Sequence, residues 1–101
     1  MTYHIDANEY IAAARAAGVN LPDFGERYYR ETAIPLVNSC YRVGLEGSDA
    51  FPIDPDESVE AFARYTGRTL SEWSRNMMRL LTLWCNEAYV AGQRDAMEAV
   101  V

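Results

Sequence analysis

Between Leu70 and Ala99, apolar residues return at steps of three and four: Leu70, Trp73, Met77, Leu80, Trp84, Ala88 and Ala91. That spacing predicts one amphipathic helix, about 45 Å long at 1.5 Å per residue. The chain has only 101 residues, and a compact domain of that size has a radius of gyration of about 13 Å. The helix is therefore the spine of the fold, and either Gly92 ends it or it projects beyond the body. A second apolar row, Leu83, Val90 and Met97, repeats every seven residues on the opposite side. From Leu80 to Cys85 the helix is thus apolar almost all round, and both faces want cover. The second face belongs either to the chain's own core or to another copy of the chain.

The rest of the sequence also reads as helix, and the expectation is an all-α fold of four or five helices in a single domain over 1–101. Asp6 followed by Glu9 marks a helix start, the alanine-rich run after it has no breaker, and Gly18 supplies a left-handed end. A second helix is expected from about Asp23 to Leu45, with Phe24, Tyr28, Leu36, Cys40 and Val43 on one face and Gly44 and Gly47 at its end. Pro35 lies inside it, lacks an N–H and crowds the carbonyl of Glu31, so this helix is kinked or broken near Ile34. Asp54, Pro55 and Glu57 form a strong start for a helix to about Thr66, burying Val59, Phe62 and Ala63. Gly67 stops it, and Thr69 to Glu72 reads as a capping box for the spine. No β-alternation and no internal repeat stands out.

Composition bounds the chemistry. Fifteen acids face nine bases, for a net charge of −6; every base is arginine, and His4 is the one histidine. Lysine Schiff bases, P-loop phosphate binding and most histidine-based catalysis are excluded. The N-terminal MTYHIDANEY has neither a basic n-region nor an apolar h-region, and no stretch approaches the roughly 20 apolar residues of a membrane span. The cytoplasm is the expected compartment, with Cys40 and Cys85 as reduced core thiols.

Metal, cofactor and enzyme readings find little support. Zinc needs a compact set of ligands, whereas the cysteines here lie far apart. The run from Asp54 to Glu60 begins like a calcium loop, but Val59 stands where glycine is needed and Tyr65 where the bidentate glutamate belongs. No G-x-S-x-G motif is present, and the scattered glycines cradle no phosphate. The expectation is a non-enzymatic protein without metal or cofactor. A helix-turn-helix-like segment over 59–79 is the sharpest nucleic-acid feature. Ala63, Gly67 and Trp73 have the spacing, and Ser71, Arg75 and Arg79 lie toward the outer face of its second helix. Arg68 and Asn76 depart from the apolar pattern, and the acidic chain lacks the basic surface that phosphates require.

Three groups of residues look made for contact. Glu46, Asp49, Asp54, Asp56, Glu57 and Glu60 put six acids and no base between Leu45 and Ala63, an acidic edge suited to steering a basic partner. Arg27, Tyr28, Tyr29 and Arg30 gather interface-prone side chains. Leu83, Val90 and Met97 suit self-association, most simply as a homodimer. The short, acidic, lysine-free chain, with its tail Glu87-Ala88-Tyr89-Val90-Ala91-Gly92, resembles small phage- or prophage-encoded accessory proteins of the anti-defence, anti-CRISPR kind. The resemblance implies an inhibitor that covers a basic nucleic-acid site of a host defence complex. The alternatives are a DNA-binding regulator acting through 59–79, and a ligand binder or small enzyme with a pocket between helices.

Overall fold

The structure, a computed structural model, describes residues 4–47, 49 and 52–100. Their regular structure is all helical: α1 (Ala7–Ala16), α2 (Asp23–Tyr28), a π-helical turn (Tyr29–Ala33), α3 (Ile34–Glu46), α4 (Pro55–Thr66) and α5 (Glu72–Val100). Because α2, the π turn and α3 follow one another without a gap, the described residues form four helical rods. They make a slab of 46 × 36 × 18 Å, about two helix diameters thick.

The helix ends follow from local chemistry. Asp6 Oδ1 accepts the Glu9 N–H at 3.0 Å, and Asp54 Oδ1 accepts the N–H groups of Asp56 and Glu57 at 2.9 and 3.1 Å. The start of α5 differs from expectation. Ser71, not Thr69, caps it, its Oγ accepting the Ser74 N–H at 3.1 Å. Gly18, Gly47 and Gly67 take left-handed φ values of 92°, 79° and 66° at helix ends, where a Cβ would be strained. Gly44 and Gly92 do not end helices. Both are buried inside them.

The disturbance expected at Pro35 is a π turn rather than a break. Ile34 N–H reaches back five residues to the Tyr29 carbonyl, and Pro35 then stands in the first turn of α3, where its missing N–H costs least. The extra residue rotates everything after it by about 100° on the helix wheel. Hence Val37, Cys40, Tyr41 and Gly44 are buried and the expected Leu36 is exposed; Phe24, which precedes the turn, is exposed as well. On α5 the buried face likewise lies about one position from the expected stripe. Cys85, Ala88, Tyr89 and Gly92 are buried, whereas Trp73 and Leu80 are exposed. Phe62 on α4 is exposed too, leaving Val59 as its fully buried residue.

Contrary to the reading of the bare sequence, the chain contains an internal repeat. Ile5, Asp6 and Ile11 recur 48 positions later as Ile53, Asp54 and Val59. Gly18, Leu21, Phe24 and Arg30 recur 49 positions later as Gly67, Leu70, Trp73 and Arg79. Asn38, Tyr41 and Gly44 recur 48 positions later as Asn86, Tyr89 and Gly92. The one-residue surplus of the second half lies between Val59 and Gly67, and the π turn of the first half restores the register. The contacts recur with the residues. Asn38 clasps the backbone of Ile5 through both amide atoms, at 3.0 and 3.1 Å, and Asn86 clasps Ile53 at 2.9 and 2.8 Å. Arg30 donates to Asn8 on α1, and Arg79 donates to the equivalent Asp56 on α4. Each half is one helical hairpin, with a short first helix laid on a long second one.

The halves join through their long helices. A Cβ built on Gly44 would lie 2.2 Å from the Tyr89 carbonyl oxygen, and one built on Gly92 would lie 2.2 Å from the Tyr41 carbonyl oxygen. These contacts exchange under the repeat, the signature of a two-fold relation. They also explain why Gly44 and Gly92 stand within the buried stripe: only glycine lets the two backbones approach this closely. Around the crossing Val37, Cys40, Tyr41, Cys85 and Ala88 form the core, with Ile5, Leu81, Trp84 and Ala91 packed against it.

Candidate interaction surfaces

Where α2 and the start of α5 diverge, the two halves leave an open cleft of 640 Å³. Equivalent positions of the repeat line it: Leu21 and Leu70, Phe24 and Trp73, Tyr28 and Met77, Tyr29 and Met78. It therefore lies between the halves in the way a ligand site lies between the subunits of a two-fold dimer. Phe24 is 70% exposed and Trp73 67%. The same large aromatic side chain stands out in both halves, at the same helix start. Its exposure is thus a property of the repeated unit rather than a lapse of packing in one place. Phe62 and Val19 extend the apolar lining, and Arg68 adds a charge. The site escaped the sequence reading. The signal was present as Gly18-x-x-Leu21-x-Asp23-Phe24 beside Gly67-x-x-Leu70-x-Glu72-Trp73.

The acidic edge is partly consumed by the fold. Asp54 caps α4. Asp56 receives Arg79 at 2.7 Å and Glu60 receives Arg75 at 2.9 Å, so α5 supplies the bases that the segment lacks in sequence. Glu46, Asp49 and Glu57 are exposed and make no ion pair among the described residues. The same pairs bear on the helix-turn-helix-like segment, because the arginines meant for phosphates already hold carboxylates.

The aromatic and arginine run is tied down in the same way. Tyr29 packs on Tyr10 and on Tyr28, with ring centroids 5.3 and 5.6 Å apart, and Tyr10 packs on Trp84 at 5.3 Å. Burial is the first cause that raises the Tyr10 and Tyr28 hydroxyls above their usual range. Arg30 and Arg15 both bind the Glu26 carboxylate at 2.9 Å, and their hydrogen bonds hold it below the usual carboxylate range. Of the four residues only Arg27 remains exposed and without an ion pair among the described residues. Leu83, Val90 and Met97, by contrast, all lie on the outer face of α5 and outside the core.

Cys40 and Cys85 meet in the α3–α5 contact as free, buried thiols that hydrogen-bond each other. Among the described residues, no three His, Cys, Asp or Glu side chains converge as metal ligands do, and no helix is long and apolar enough to cross a membrane. No protein-family model, curated protein or solved structure matches the chain.

Proposed function

We propose that the protein is a non-enzymatic interaction module that self-associates and grips an apolar segment of a basic partner protein in the cleft between its two halves. The observation that carries this reading is the recurrence of an exposed aromatic, Phe24 and Trp73, at equivalent points of the cleft. A groove with aromatics at its mouth and the adaptable side chains Met77 and Met78 on its floor suits an amphipathic helix or strand of a partner. The exposed acids Glu46, Asp49 and Glu57, which make no ion pair among the described residues, in a chain of net charge −6, favour a basic partner through faster encounter. The resemblance to small phage accessory proteins makes a nucleic-acid-handling defence complex the kind of partner to look for, with inhibition as the outcome of covering its basic site.

Affinity capture from the host, followed by binding measurements on the captured protein, tests the reading. Trp73→Ala and Phe24→Ala should each weaken binding at least about tenfold, as interface aromatics do, while leaving helicity unchanged. Glu46→Gln with Asp49→Asn and Glu57→Gln should slow association and flatten its salt dependence. A partner that binds both aromatic variants as tightly as the parent protein would end the cleft reading. The cleft volume also falls in the range of about 300–1,000 Å³ typical of small-molecule sites, which favours a ligand-binding reading as the second choice. A thermal-shift screen with apolar compounds separates the two, since a compound acting through the cleft should lose its effect in Trp73→Ala.

A further inference from the structure

The outer face of α5 carries more apolar surface than the fold uses. Leu83, Val90 and Met97 are 48%, 44% and 73% exposed. The repeat supplies an internal control. Forty-eight positions earlier stand Pro35, Arg42 and Asp49, all exposed. The first-half helix therefore folds with a proline and an arginine at the points of Leu83 and Val90 and ends at Glu46, before the point of Met97, and the large apolar residues on α5 answer to something outside the chain.

The charges on this face indicate what covers it. Glu87 and Arg94 lie among the apolar residues, and together with Leu83, Asn86 and Val90 they line a shallow groove of 480 Å³. Neither makes an ion pair among the described residues. They cannot serve each other within the helix, because only residues three or four apart are neighbours there. Centred on Val90, the stripe is close to a palindrome in chemistry. Leu83 and Met97 lie seven residues to either side, Glu87 lies three before and Arg94 four after. A two-fold axis across the helix at Val90 would reverse it and bring Leu83 against Met97 of a second copy. The same operation sets each Glu87 beside Arg94 of the other copy. A parallel pairing would instead leave the Glu87 residues of the two copies on opposite flanks of the seam, and the Arg94 residues likewise, with no opposite charge beside either.

We propose that α5 pairs antiparallel with α5 of a second copy, centred on Val90, with Leu83, Val90 and Met97 in the seam and two Glu87–Arg94 ion pairs across it. The proposal rests on the self-association half of the function proposed above and is independent of the cleft, which lies on other residues. A closed two-fold contact of this kind uses the same patch on both copies and stops at two. The seam is about four helical turns, roughly 21 Å long at 1.5 Å per residue, and it suits a reversible rather than an obligate dimer.

The test is a charge-exchange cycle read by sedimentation equilibrium from micromolar to millimolar chain. The parent protein should reach the dimer mass. Glu87→Arg and Arg94→Glu should each weaken the dimer about tenfold or more, because each turns two attractive pairs into two repulsive ones. The double variant Glu87→Arg/Arg94→Glu should return to within about threefold of the parent. Val90→Glu should keep the helical circular dichroism of the parent and remain a monomer. A strict monomer at the highest concentration would overturn the proposal. So would a dimer indifferent to both single charge variants, or a double variant that fails to recover. Partner capture sensitive to Trp73→Ala would leave the cleft reading standing in each of these cases.

Discussion

Burial pushes the Cys85 thiol up to about 12, with the neighbouring Cys40 adding to the shift, and burial raises Cys40 as well. The nucleophile of sulfur chemistry is the thiolate, so both cysteines should be inert at neutral pH despite lying side by side. Iodoacetamide at pH 8 should leave both unmodified in the native protein and label both in denaturant, with intact mass as the measure. Rapid labelling of the native protein would contradict the buried, hydrogen-bonded pair. The same shift couples to stability. A thiol whose folded value exceeds its unfolded value of about 8.5 favours the folded state while both states hold the proton. That advantage is lost as pH rises from about 9 toward 12, where the unfolded chain gives up the proton first. Unfolding free energy should therefore fall across that window, and Cys85→Ala should flatten the fall even though its overall stability is lower. The raised Tyr10 and Tyr28 hydroxyls act in the same direction at the upper end of the window.

The contact between the long helices depends on two glycines. Gly44→Ala and Gly92→Ala each place a methyl against backbone of the opposite helix, where no rotamer change relieves it. Each should destabilise by roughly 3 kcal/mol, at the upper end of overpacking costs, and the two losses should be similar because the contacts are equivalent. Gly25→Ala is the control. Its Cβ would meet Leu21 at an ordinary 3.5 Å, and a helical alanine should gain about 0.5–1 kcal/mol over glycine. Urea melts of the three variants decide the point. The same residues show what was legible in the sequence. Caps such as Asp6 and Asp54, the helix-ending Gly18 and Gly67, and the reach of α5 all follow from local chemistry, and all could be read without coordinates. The buried face could not. Hydropathy ranks Trp73 and Leu80 above Gly44 and Gly92, whereas a close helix crossing selects small residues. The π turn also shifts the phase of the first long helix within a span that carries no glycine. The outward row Leu83, Val90 and Met97 was legible because its spacing of seven places it opposite the main stripe. The cleft was not, because Phe24 and Trp73 looked like core until their shared place in the repeat was known.

At the scale of the whole molecule, neither hairpin can bury its apolar face alone. Each long helix offers a buried stripe with a glycine in it, Gly44 or Gly92, that lies against backbone of the equivalent stripe of the other half. Repeat units of this kind owe their stability to the interface between neighbours. The Asn38 and Asn86 clasps and the caps, by contrast, are internal to each half and fix its local geometry. Separating the halves should therefore abolish the core while leaving the instructions for each hairpin intact. Peptides covering 1–47 and 52–101 should each show weak helicity at low concentration, well below half the signal of the full chain. Mixed in equal amounts they should recover most of that signal and form a one-to-one complex. Because Gly44 and Gly92 occupy equivalent positions, each peptide can also in principle pair with itself through the same stripe, so homodimers should form at higher concentration and yield to the mixed complex on titration. Gly92→Ala in the second peptide should block both its self-pairing and its pairing with the first. Circular dichroism and sedimentation of the separate and mixed peptides measure these outcomes. A single half that is fully helical and monomeric on its own would show that the hairpin, not the contact between hairpins, is the unit of stability.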